Sequence, residues 1–184
     1  MPITSKVEQV RDEIVTEFEG ITTDNGYRNN PSVRKMMRPL DRVSSEPELG
    51  VEIGEMRLEP ADSAWTVWNI MADVWVSGTV SADTDTGDDP DNILEATESL
   101  RHDVARKVME MSNKYATHSG SRWRVDTKTA PTMSGLQLLG SNRNKGQFYC
   151  RFRVAIPSLL NNFMSEVSGG TDGPSATVII DGTV

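Results

Sequence analysis

Over residues 147–156 the chain alternates strictly: Phe148, Cys150, Phe152, Val154 and Ile156 fall on one side of an extended backbone, and Tyr149, Arg151, Arg153 and Ala155 on the other. Successive strand side chains point to opposite faces, so this run predicts a central or near-central strand with one apolar face. Residues 65–80 repeat the pattern. Trp68, Ile70, Ala72, Val74, Val76 and Val80 share one face, while Asn69, Asp73, Ser77 and Thr79 share the other with Val67, Met71 and Trp75. A strand that is apolar on one side and mixed on the other has a core below and a partner or flanking element above.

Two helical patterns can cover the apolar side. Behind Ser5 as N-cap, Val7, Val10, Ile14, Phe18 and Ile21 recur at helical spacing. This helix is expected to stop at Gly20, read as the left-handed residue after a helix end, with Asp24-Asn25-Gly26 forming the turn that follows. A second helix opens with Asp89 at the cap and Pro90 in the first position. Ile93, Ala96, Leu100, Val104, Val108 and Met111 trace its sheet-facing stripe, and Arg101, Arg106, Lys107 and Glu110 face solvent. Shorter extended segments are predicted at 31–37, at 46–54 with Leu49, Val51 and Ile53 on one side, around Trp123 and Val125, and at 136–139. Pro157 is expected to end the last strand. A short helix over 158–167 and a linker with the apolar patch Val178-Ile179-Ile180 follow, a patch expected to dock on something.

These readings give an α+β fold: a mixed, mostly antiparallel β-sheet with two main α-helices packed on it. A chain of 184 residues suits one domain with a real core. That domain is expected over 1–157, with a flexible C-terminal extension over 158–184 that docks on a neighbouring subunit.

Charge and motif content narrow the function classes. A formal charge of −8 argues against a dedicated duplex-binding surface, which needs basic residues to displace phosphate counterions. The single Cys150 cannot form an intrachain disulfide. No basic segment leading into an apolar run follows Met1, so synthesis in the cytoplasm is expected, and no run reaches bilayer length, so no membrane is. His102 and His118 stand apart from metal-ligand spacings, and Cys150 alternates with phenylalanines as a core residue does. No G-x-S-x-G elbow and no phosphate-cradling loop appears. No metal, no cofactor and no enzymatic activity are expected.

Two charged clusters and two tryptophans remain as candidates. The acidic run Asp83-Thr84-Asp85-Thr86-Gly87-Asp88-Asp89 departs from a calcium loop: counted from Asp83, glycine falls fifth rather than sixth and Leu94 takes the twelfth place. It reads either as a solvated turn and helix cap, or as an acidic channel lining (Asp83, Asp85, Asp88, Asp89) that repels passing DNA. Arg28, Arg34, Lys35 and Arg38 follow one another without an acid between them, either as a contact for the acidic surface of a neighbour or as a solvated edge. Trp65 and Trp75 serve either as interface anchors or as packing under the first helix. The candidate interface is therefore Tyr27, Arg28, Arg34, Lys35, Arg38, Trp65 and Trp75.

The order of the parts resembles the tail terminator proteins, also called minor tail or tail-completion proteins, of long-tailed bacteriophages. The resemblance is carried by the N-terminal helix, the Ile21-Thr22-x-x-Gly26-Tyr27-x-Asn29 turn and Val33 opening a strand. The segment Pro47-Glu48-Leu49-Gly50-Val51, a long strand ending Gly78-Thr79-Val80-Ser81-Ala82-Asp83, the helix from Asp89 and the strand 148–156 complete it. It spans roughly residues 5–156. It implies a structural virion protein in the neck region of the tail, six copies of which close into a ring on the last tail-tube ring, stop tube growth and present a surface to the head-side connector. The implied partners are further copies of itself, the tail tube protein and the head–tail connector protein, with DNA only passing through the lumen. The alternatives are a head–tail connector or head-completion (neck) ring, a tail-tube or baseplate subunit, and a small hydrolase, which would need a cleft of carboxylates with shifted pKa values.

Overall fold

The alternating runs become the two longest strands of a single sheet. A computed structural model describes residues 6–36, 47–61, 67–81, 90–116, 122–135, 137–139 and 145–159. In chain order these form α1 (Lys6–Glu19), a 3-10 turn (Thr23–Asn25), β1 (Ser32–Arg34), β2 (Glu48–Pro60) and β3 (Val67–Ser81). Then come α2 (Pro90–Ala116), β4 (Arg124–Val125), β5 (Thr132–Met133), β6 (Gln137–Leu139) and β7 (Lys145–Leu159). The sheet order is β1-β2-β3-β7, and β4, β5 and β6 all pair along the outer side of β7. β1 and β2 are parallel and every other pairing is antiparallel, so the fold is the expected mixed α+β sheet in one domain.

Both helices lie on one face. Val10, Ile14 and Phe18 of α1 and Leu100, Val104, Val108 and Met111 of α2 are buried against Ile70, Ala72, Val74 and Val76 of β3 and the even-numbered residues of β7. At Gly78 the Phe148 ring of the paired strand lies where a β-carbon would stand. Gly78→Ala therefore forces a core phenylalanine off its position, with an expected loss of about 2 kcal/mol of unfolding free energy in urea titrations.

Three details differ from the sequence reading. α1 does end at Gly20, but through tight bonds from the Gly20 N–H to the Glu17 carbonyl (3.2 Å) and from the Ile21 N–H to the Phe18 carbonyl (2.9 Å). The left-handed glycine is Gly26, with φ 78°. Second, Pro157 does not stop β7, which continues to Leu159 and so occupies the first positions of the helix expected over 158–167. The Tyr149 and Arg153 carbonyls accept bonds from the Ser134 and Asp126 N–H groups at 2.8 Å, so odd-numbered residues of β7 turn their backbone groups away from β3. Pro157 shares that parity and lies beyond the β4 pairing, so its missing N–H costs no ladder bond. Third, a register shift between Ile53 and Met56 reverses the parity of β2. Met56 and Leu58 then share the helix side with Leu49, Val51 and Ile53, and β2 runs six residues past the extended segment predicted for it. The remainder of 158–167, the Val178-Ile179-Ile180 patch and the caps Ser5 and Asp89 lie outside the described residues.

Candidate functional site

The turn at 21–29 builds itself from its own backbone and is then gripped by α2. The Thr22 side chain accepts a bond from the Asn25 N–H at 3.3 Å, and the left-handed Gly26 lets the chain reverse. Asp103, 1% exposed, collects three donors on Oδ2: the backbone N–H groups of Arg28 and Asn29 at 3.0 Å each, and Asn29 Nδ2 at 2.8 Å. Asn29 Nδ2 also reaches Ser99 Oγ at 3.1 Å. Tyr27 turns inward beneath Arg106, whose guanidinium sits 4.4 Å from the ring centroid and donates to the Gly26 carbonyl at 2.8 Å and to Glu110 at 2.8 Å. The Tyr27 hydroxyl donates to the second Glu110 oxygen. Burial, reinforced by Glu110, pushes the Tyr27 phenol well above its ordinary range, and the hydrogen bond from Tyr27 holds Glu110 below the usual carboxylate value.

A second polar seam ties α1 to the rest of the molecule. Glu17 accepts from Lys114, from the Tyr115 hydroxyl at 2.5 Å and from Lys107 at 3.1 Å. One turn earlier, Glu13 accepts from the indole N–H of Trp123 at 2.8 Å, and Trp123 stacks on Tyr115 with centroids 4.2 Å apart. Burial alone would raise the Glu17 pKa, but the bonds from Lys114, Tyr115 and Lys107 outweigh it and bring the carboxyl from 4.5 down to about 2. A pKa lower in the folded chain means stability that is full above pH 4.5 and lost as pH falls toward 2. Urea midpoints measured against pH should show that acid limb, and Glu17→Gln should start about 2 kcal/mol lower and lose part of the limb.

The face of the sheet away from the helices holds the third cluster. Asp73 of β3 is buried between two arginines of the paired strand: Arg153 Nε donates to Oδ1 at 2.9 Å and Arg151 to Oδ2. Burial opposes ionisation, yet the bonds from Arg153 and Arg151 hold this carboxyl below its usual range. Arg151 also lies over the Trp75 ring, 5.3 Å from its centroid, while Gly54 opposite leaves room for the indole. Beyond the short β1 pairing, residues 51–60 of β2 pair only with β3 among the described residues.

The candidate residues do not converge on one surface. Tyr27 is committed to α2, and Arg28 is held there by its backbone while its side chain is exposed. Arg34 pairs with the buried Glu48 at 2.6 Å, and Lys35 pairs with Asp12 of α1 at 2.9 Å. Trp75 does not pack under the first helix: Val74 and Val76 take the helix side, and alternation turns the indole to the opposite face. Arg38, Trp65, Asp83, Asp85, Asp88 and Asp89 lie outside the described residues. Sequence reasoning missed Asp103; Arg106 and Glu110 are exposed as expected, but it did not foresee that they also hold the turn. The available signal was their spacing with Ser99, by four, three and four residues, which sets a polar stripe beside the apolar one on α2.

Among the described residues, every shifted carboxyl is moved down and every shifted phenol, amine and thiol is moved up, Cys150 to about 12 by burial. Groups displaced in these directions keep one protonation state near neutral pH, so they offer fixed charge and shape rather than proton exchange. A scan against models of protein families matches none, and a search of curated proteins finds no significant relative.

Proposed function

We propose that this chain is a ring-forming structural protein of the tail-terminator kind, acting in the neck region of a virion. Six copies close on the last ring of a tail tube, end its growth and present a surface to the head-side connector. The observation that carries this reading is the β2 margin. Among the described residues, 51–60 form a long strand edge, and Met56 and Leu58, on the same face as the helices, are still 53% and 43% exposed. Open strand edges with exposed apolar side chains drive association, and a soluble chain keeps them when another chain is to cover them. The turn at 21–29, clasped to α2, gives the rigid body that such an interface needs.

The test is electron microscopy of the purified chain mixed with its tail tubes, together with native mass measurement. The expected result is a ring of six copies at one end of each tube and no further elongation. Filaments grown by the chain alone would make it a tube subunit, and binding to capsids before tails would make it a connector. A stable monomer that leaves tubes growing would remove the ring reading altogether.

A further inference from the structure

Charge is not spread evenly along this chain. Residues 122–159 hold seven basic side chains against the single acid Asp126, a net of +6 in a chain of −8, which leaves −14 for the remainder. β2 is the counterpart, with four glutamates against Arg57 alone. The sheet order sets these two segments apart: β2 lies at one side, β4 and the outer edge of β7 at the other, with β3 between. Glu52, Glu55 and Glu59 are exposed on the β2 margin, and Arg122, Arg124 and Lys128 on the other. Glu52 and Glu59 pair with Trp75 and Asn69, and Arg124 pairs with Ala155, so these three charges project from the same helix-free face.

Three strand spacings of about 4.8 Å separate β2 from β4, roughly 14 Å across an open sheet, so one copy cannot bring its own margins together. We propose that the acidic β2 margin of one copy packs against the basic β4–β7 margin of the next. The occupant of the exposed β2 edge is then a second copy of this chain, joined head to tail. The two margins are different patches, so the contact is heterologous, and repetition with a closing rotation makes a ring. Opposite charges select that orientation, because turning either copy to meet its own kind sets like charges face to face. This inference rests on the ring reading and supplies its subunit contact.

Carbodiimide cross-linking joins a lysine amine to a carboxylate only in direct contact. Light and heavy-isotope chains are mixed, on tail tubes and free at high concentration, and the cross-links are mapped. The expected result is a light-to-heavy link between Lys128 and Glu52, Glu55 or Glu59, lost in about 1 M salt, where the screening length is about 3 Å. Two variants extend the test: Glu52→Lys with Glu59→Lys, and Arg124→Glu with Lys128→Glu. Each alone should need about a hundredfold more protein to assemble, while an equimolar mixture should recover the unaltered level, because every contact in an alternating ring is again between opposite charges. Recovery in the mixture also shows that both variants fold. Copies that associate with cross-links elsewhere, or that ignore the charge reversals, overturn this interface and leave the ring reading standing. Duplex DNA held by the basic margin in place of a second copy overturns it as well. Copies that never associate, on tubes or off them, remove the ring reading and the interface together.

Discussion

Asp103→Ala should lower the unfolding free energy by about 3–5 kcal/mol, one of the two largest losses expected from any single change in this chain. The carboxylate is almost wholly buried, and one of its oxygens is the acceptor for three donors from the turn. Truncation leaves the Arg28 and Asn29 N–H groups facing a methyl, and each unmade bond in a part-buried site costs about 1–3 kcal/mol. The Asn29 amide loses its strongest partner and keeps Ser99. Asp103→Asn retains one acceptor oxygen and gives up the charge, so it should recover about half of the loss. Urea titration reads the magnitude, and hydrogen exchange locates it: the amides of Arg28 and Asn29 should lose protection before those of β3 and β7. Equal loss of protection throughout the sheet would mean that the turn is not a separate clasp.

What could be read in the sequence follows from which periodicities a single segment can carry. Ile70 to Val76 and Phe148 to Ile156 alternate because each strand meets a helix layer on one side only, and that constraint is local to the strand. The stripe from Ile93 to Met111 was legible for the same reason. The clasp was not. Asp103, Arg106 and Glu110 are polar, and hydropathy does not say what a polar helix residue will bond; their partners in the turn are two backbone N–H groups, the Gly26 carbonyl and a phenol, seventy or more residues away. Gly20 and Gly26 carry equal sequence signals for a left-handed turn, and only the Thr22 cap decides between them. Pro157 misled because proline blocks a strand only where its N–H would face a partner. The charge segregation was open to inspection throughout: a whole-chain value of −8 averages a basic block with a much more acidic remainder.

Asp73→Ala should cost about 3–5 kcal/mol, and the reason predicts its own rescue. The carboxylate neutralises two guanidinium groups that the β7 alternation sets on the same face, two residues apart. Removing it leaves Arg151 and Arg153 facing each other, with the Trp75 ring and the charge of Glu55 to offset Arg151. If desolvated charge is the cause, replacing all three residues by apolar side chains of similar volume should return stability to within about 1 kcal/mol of the unaltered chain, because no ion then remains without its partner. If the loss arose from packing instead, the triple replacement should lie at least as low as Asp73→Ala. Acid titration separates the same two causes. The Asp73 pKa is lowered on folding, so its stabilising share is present above its ordinary value of 3.8 and disappears as pH falls below it. Asp73→Asn should therefore be less stable at neutral pH and lose less on acidification, while the share held by Glu17 remains. Arg151 and Arg153 also belong to the basic margin that we assign to the neighbouring copy. Asp73→Asn makes that margin more positive by one charge, and any variant fold that survives should assemble at lower, not higher, protein concentration.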